Sequence, residues 1–237
     1  MTHPPRPQSL AIAGPAGNIE ALLEEPEEPR PARFGVICHP HPLHGGTMHN
    51  KVVHTLARAL HDFSVPTVRF NYRGVGASEG RYADGIGETD DAVAVIEWGR
   101  RRWPAAAPWL LGFSFGGGVA LRAGTRAGAR LLVTVAPPLD RLVDGEAARS
   151  APFGPPCPWL IVQGDADDVI DPGAVLEWAS EQSAARASTG LPALTIQVLH
   201  GAGHFFHGRL PELREAVASF IRKWESSIKE SGAQPAD

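Results

Sequence analysis

Short apolar runs alternate along the chain with longer segments in which apolar residues recur every three or four positions. Ser9–Ala13 and Ile19–Leu23 form an opening pair of strand candidates. FGVICH (34–39), PTVRFN (66–71), Trp109–Phe113, RLLVTV (130–135), PWLIVQ (158–163) and Ala193–Leu199 read as further strands. Between them, Asn50–Asp62 carries Val52, Val53, Leu56, Ala59 and Leu60 at helical spacing. Asp84–Trp103, Phe115–Arg126, Gly173–Ala185 and Pro211–Ser226 are the other helix candidates. Thr89, Asp90 and Asp91 suggest that the 84–103 helix starts near them, and Pro211 suits the first turn of the last helix. Most strands are apolar throughout rather than alternating, which marks a sheet covered on both faces. The alternation of strand and helix predicts the α/β class: a mostly parallel central sheet with helices on both faces.

At 237 residues, the chain suits one α/β domain spanning 1–237 and can bury enough surface to fold without disulfides or metal. PEEPRPAR (26–33) reads as a surface turn, and the polar tail 230–237 is expected to fray. The connection 136–157 holds Pro137, Pro138, Pro152, Pro155 and Pro156, with room for no more than a short helix, Leu139–Arg149. Twenty-two Lys and Arg against 26 Asp and Glu give a net charge of −4, which argues against a nucleic-acid partner. No apolar run is long enough for a membrane helix and no leader pattern opens the chain, so a cytoplasmic protein is expected. Cys38 and Cys157 form no CxxC pair and read as reduced thiols.

In such sheets ligands gather at the carboxyl ends of the strands. After Trp109–Leu111 comes Gly112-Phe113-Ser114-Phe115-Gly116, a G-x-S-x-G at a strand-to-helix junction. A sharp turn here exposes the serine hydroxyl, needs small residues two places either side, and aims the Phe115 N–H at a developing oxyanion. The alternative is a glycine-rich strand-to-helix turn that binds a phosphate. A serine nucleophile needs a base, and the base an orienting acid. HGAGHFFH (200–207) offers His204, with His200 and His207 as alternatives. GDADDVID (164–171) offers Asp167, with Asp168 as runner-up; Asp165 and Asp171 read as turn or cap residues, and Asp140 is a second position for the acid.

Ser114, Asp167 and His204 thus come in the order Ser…Asp…His after successive late strands, which resembles the α/β-hydrolase superfamily over nearly the whole chain. Asn71-Tyr72-Arg73-Gly74-Val75-Gly76-Ala77-Ser78 looks like that family's D-x-R-G-x-G-x-S loop, with Asn71 replacing the aspartate. Cys38-His39-Pro40-His41-Pro42-Leu43-His44-Gly45-Gly46 stands where the family has its H-G oxyanion loop, with Pro40 replacing the glycine, and HPHPLHGGTMHNKV is similar to a group of small bacterial members. The resemblance implies an α/β-hydrolase fold with a minimal cap. It also implies a second oxyanion N–H from His41 or Leu43, because Pro40 and Pro42 have none; His41 matches the family position.

His39, His41, His44, His49 and His54 crowd one stretch, but no carboxylate joins them at ligand spacing; no metal or other cofactor is expected. Arg73 either anchors its loop or meets a substrate carboxylate. Phe113, Phe115, Phe153, Phe205 and Leu43 are candidates to line an acyl pocket. The expected activity is a serine carboxylesterase acting on a small-molecule acyl substrate, with Ser114, His204 and Asp167 as triad and Phe115 and His41 as oxyanion donors. Thioesterase, amidase or peptidase chemistry would use the same residues. A non-catalytic binding protein on the same fold, or metal-assisted hydrolysis at the histidine loop, are the rivals from other classes.

Overall fold

Gln8–Gly14 (β1) and Gly17–Glu24 (β2) form an antiparallel hairpin in register Gln8↔Leu23 to Gly14↔Gly17. The structure, a computed structural model, describes residues 6–26, 32–138, 153–192 and 194–230. After the hairpin come Arg33–Cys38 (β3), Lys51–His61 (α1), Thr67–Phe70 (β4), Ile86–Arg102 (α2), Ala107–Phe113 (β5) and Phe115–Ala127 (α3). Leu131–Val135 (β6), Trp159–Gly164 (β7), Pro172–Ser188 (α4), Leu194–Leu199 (β8) and Leu210–Glu230 (α5) complete the order.

The eight strands make one sheet, ordered β1-β2-β4-β3-β5-β6-β7-β8. β1–β2 and β2–β4 are antiparallel, and every pairing from β4 through β8 is parallel. The chain runs from β3 to β4 on one side and then to β5 on the other. The order therefore reverses at β3, and a crevice opens there at the carboxyl edge. Cys38 pairs with Gly112, Phe113 with Val135, and Gly164 with Leu199, so the loops after β3, β5, β7 and β8 leave from that one edge.

Helices cover both faces. Val95, Ile96, Val119 and Trp178 of α2, α3 and α4 pack with Trp159 on one face. Leu56, Leu60, Val217 and Ile221 of α1 and α5 pack on Trp109 and Leu111 on the other. The strands between these layers are almost wholly buried; β8, at the edge, alternates instead. One charge lies within β4. Arg69 is tolerated there because its Nε donates 2.9 Å to Glu24 Oε2 and its Nη1 donates 2.8 Å to the Met48 carbonyl.

The last two helices run past Ala185 and Ser226 to Ser188 and Glu230, and β3 takes in Arg33. α2 begins at Ile86, not near Thr89, because the Glu88 carboxylate accepts from the Gly85 and Ala83 N–H groups at 2.7 and 2.9 Å, capping an earlier turn. Asp140, the Leu139–Arg149 helix candidate and the 231–237 stretch of the tail lie outside the described residues. Cys38 and Cys157 are free and buried, and burial pushes each thiol up to about 12. Among the described residues, no helix is long and apolar enough to cross a membrane.

Candidate active site

The turn after β5 is built by what its glycines leave out. A side chain on Gly112 would collide with the Gly116 carbonyl, and one on Gly116 would collide with the Cys38 and His39 carbonyls. Only glycine lets β5, α3 and the end of β3 approach this closely. Ser114 between them has φ 54° and ψ −126°, a conformation an L-residue holds only under constraint. Its N–H donates to the Val135 carbonyl at 2.8 Å, and its carbonyl accepts from Gly117 N–H at 2.7 Å. The hydroxyl is thereby presented at the N-terminus of α3.

His204 faces that hydroxyl. Its Nε2 lies 3.1 Å from Ser114 Oγ and its Nδ1 lies 2.9 Å from Asp167 Oδ2. An ionised carboxylate only accepts, so Nδ1 carries the proton and Nε2 is left to accept from the serine. Asp167 is itself fixed. Its Oδ1 accepts from the N–H groups of Val169 and Ile170 at 2.9 and 2.8 Å, and its Oδ2 also accepts from Gln163 Nε2 at 3.1 Å. Burial would raise this carboxyl, but the hydrogen bonds from His204, Ile170 and Val169 outweigh it and hold the group below the usual carboxylate range. The acid and base turns interlock at Gly164, where any side chain would strike the Ala202 carbonyl.

The alternatives fall elsewhere. His200 Nδ1 pairs with Asp165 at 2.8 Å on the surface, Asp171 caps α4 by accepting from Gly173 N–H at 2.9 Å, and Asp168 and His207 are exposed. Arg73 grips Asp91 with Nε at 3.0 Å and Nη2 at 2.7 Å, which commits it to anchoring its loop rather than to a substrate carboxylate. The departure at Asn71 has a local reason. Its Nδ2 donates 2.7 Å to Glu20 Oε2 while its Oδ1 accepts from Met48 N–H at 2.9 Å, and an aspartate there would set carboxylate against carboxylate.

The histidine-rich loop after β3 packs beside α3. His39 is wholly buried; Nδ1 donates 2.7 Å to the Pro40 carbonyl and Nε2 accepts from Tyr72 N–H at 3.2 Å. Burial drives its pKa down to about 3, so it is a neutral strut. His41 caps a short turn, Pro42–His44, by accepting from Leu43 N–H at 3.2 Å, and its ring stacks on His44 at 4.5 Å and meets Phe115 at 4.8 Å. Among the described residues, no three histidine, cysteine or acidic side chains converge as a metal site.

Two of the aromatic assignments need correction. Phe113 ends β5 facing the α1–α5 layer, wholly buried; its ring lies 5.0 Å from that of His204, making a floor under the base rather than a wall of a pocket. Phe153 sits at the amino edge of β7, where its N–H donates to Gln182 and its carbonyl accepts from Arg186 at 2.9 and 2.8 Å. That is the sheet edge opposite Ser114. The Phe115 side chain is likewise buried. Leu43 and Phe205, in contrast, are 65% and 47% exposed. Ile86, which opens α2, and Val169, on the loop after β7, join them as exposed apolar side chains at the same carboxyl edge. Gln163 was missed, although one amide near the end of an otherwise apolar strand was a visible signal.

A family profile described as serine aminopeptidase, S33, matches residues 41–151. An α/β serine hydrolase homologue from Coxiella burnetii is 41% identical, with a TM-score of 0.79 over 92% of this chain and 97% of its own. An α/β serine hydrolase without a lid from Xanthomonas campestris is 36% identical, with a TM-score of 0.80 over 100% of this chain and 99% of its own. An uncharacterised protein of Rickettsia prowazekii is 31% identical over 210 residues, 88% of this chain and 86% of that one.

Proposed function

Since this chain belongs to the α/β-hydrolase superfamily and is a serine hydrolase homologue, we propose that it hydrolyses small acyl esters through an acyl-enzyme on Ser114. The observation that carries this is the unbroken hydrogen-bond chain from Ser114 Oγ through His204 to a carboxylate whose own orientation is fixed by four donors. His204 Nε2 takes the serine proton as Oγ attacks the acyl carbonyl. Asp167 stabilises the imidazolium without accepting the proton. The oxyanion is met by the N–H of Phe115, at the positive end of α3, and by that of His41. His204 then protonates the leaving oxygen, the alcohol departs, and water repeats the cycle to release the acid. No cofactor enters these steps.

Exposed Leu43, Phe205, Ile86 and Val169 around this edge favour an apolar acyl or alcohol group over a charged one. The test is hydrolysis of p-nitrophenyl esters of graded acyl length by the wild type and Ser114→Ala, with thioester and aminoacyl-amide substrates beside them. The expected result is activity highest on short acyl esters, and a loss of about three orders of magnitude or more in kcat in the variant. Undiminished turnover by Ser114→Ala would remove the nucleophile, and a preference for aminoacyl amides would move the chain to peptidase chemistry.

A further inference from the structure

Gln163 is a fully buried amide, next to last in the strand WLIVQG. Its Nε2 donates to Asp167 Oδ2 at 3.1 Å and to the Gly164 carbonyl at 3.2 Å. With an acceptor on each side, the NH2 group and not the carbonyl must face them. Its Oε1 has no partner among the described residues. A leucine or methionine would serve β7 packing without leaving a buried acceptor unpaired, so packing alone does not account for an amide here.

The oxygen it touches is the one that matters. Asp167 Oδ2 accepts from both His204 Nδ1 and Gln163, while Oδ1 is taken by the Val169 and Ile170 N–H groups. We propose that Gln163 is a positioning residue that acts through Asp167, drawing charge from Oδ2 and so setting the pH at which His204 becomes a free base. This rests on the reading of Ser114, His204 and Asp167 as a triad. Without the amide, the carboxylate charge at Oδ2 would fall more fully on the Nδ1–H. The imidazolium would be favoured, and a higher pH would be needed to free Nε2.

The surroundings leave that effect readable. Phe113 of β5 and Phe205 pack against the imidazole without charge, and Val198 of β8 stands opposite Gln163 in the sheet. The other titratable groups nearby are Asp165 with its partner His200, Asp168 and His207, all exposed on the flanking turns.

The experiment is the pH dependence of Ser114 labelling by a fluorophosphonate probe, and of kcat/KM for p-nitrophenyl acetate, in wild type, Gln163→Met and Gln163→Leu. The expected result is an acid limb displaced upward by about half a pH unit to one unit in both variants, with a smaller loss on the alkaline plateau. A uniform loss of rate with an unmoved midpoint, or a midpoint moved downward, overturns the proposal and leaves Gln163 a structural residue. Should neither variant fold, the wild type still decides. The Gln163 side-chain amide protons, followed by NMR, must shift as His204 titrates; signals blind to that titration overturn the proposal. A wild type that the probe never labels at Ser114 would instead bring down the triad reading itself, an outcome distinct from a labelled enzyme with an unmoved midpoint.

Discussion

Two histidine-bearing loops leave the same edge of the sheet, one after β3 and one after β8, and they treat their histidines in opposite ways. Five of the chain's ten histidines stand between positions 39 and 54. The one buried there, His39, is tied at both nitrogens to backbone groups, a carbonyl and an N–H. His204, in the sparser loop, is tied to a carboxylate at one nitrogen and a hydroxyl at the other. A carbonyl fixes a tautomer and favours the protonated ring only weakly, too weakly at His39 to offset burial. A carboxylate fixes the same tautomer and also stabilises the protonated ring, which is what a general base requires. The number of histidines in a loop therefore says little about where base chemistry resides; the partners of each ring decide it.

Exchanging the two roles tests this most severely. His204→Ala should cost about three orders of magnitude or more in kcat while leaving thermal stability near wild type, because the loss falls on the transition state. His39→Leu should do the reverse. Activity per folded molecule should fall far less. Unfolding free energy should fall by about 1–3 kcal/mol for each buried group left without its partner, the Tyr72 N–H and the Pro40 carbonyl. Denaturant titrations and steady-state kinetics on both variants separate the outcomes, and a catalytic collapse in His39→Leu with unchanged stability would merge the two loops into one function.

The next contrast lies within the first loop, between a side chain and its own backbone. His41 has φ −54° and ψ 120°, which proline can adopt. His41→Pro deletes the N–H proposed for the oxyanion and should lower kcat by about a hundredfold. His41→Ala keeps the N–H, loses the ring with its cap on Leu43 N–H and its contacts with His44, Phe115 and Tyr82, and should lower it by no more than severalfold. Equal losses in the two would assign the effect to the ring.

The loops also differ in what acid does to them. His39 has its folded pKa depressed to about 3 by burial, below the usual value near 6.5. The unfolded chain then binds the proton more readily than the folded one. Stability from this group is complete above about pH 6.5 and is lost as pH falls toward the folded value, a loss of about 2 kcal/mol by pH 5. His61, lowered to about 4 by burial and nearby arginines, adds in the same direction. Stability measured from pH 7.5 to 5 should therefore slope downward in the wild type and slope less in His39→Leu. Equal slopes would place the acid sensitivity elsewhere.

Much of this arrangement was legible in the sequence, for reasons that can be named. Ser114, Asp167 and His204 each follow a strand whose apolar run ends abruptly in glycine or polar residues, so chain order alone placed them on one edge. The glycines at 112 and 116 carried their own explanation in their spacing. Phe113 was misread because strand alternation, which turns it into the α1–α5 layer, cannot be phased from an all-apolar run. Phe153 was misread because its place depends on Arg186, a buried cation that donates to the carbonyls of residues 153, 155 and 157 from a helix nearly thirty residues on. Such long-range donors leave no local pattern. The same holds for Asn71, whose departure from the family motif makes sense only beside Glu20, a strand neighbour in space.

The smallest expected effect concerns two exposed apolar side chains at the carboxyl edge, Leu43 and Phe205, one on each loop. In the proposed mechanism His204 protonates the leaving oxygen, which would set the alcohol group on the side of the β8 loop, where the Phe205 ring stands 5.1 Å from the imidazole. The same mechanism would point the acyl carbonyl oxygen at the Phe115 and His41 N–H groups and so put the acyl chain nearer Leu43. Each buried methylene is worth about 0.8 kcal/mol, so losing one such contact changes selectivity only about fourfold. Leu43→Ser should thus flatten the preference along an acetate–butyrate–hexanoate series with a common alcohol. Phe205→Ser should leave that series unchanged and flatten the preference among methyl, butyl and phenyl esters of one acid. Rates for both series in both variants give the answer directly, and a crossed pattern, with Phe205 governing the acyl series, would mean that the substrate lies across the serine in the opposite sense.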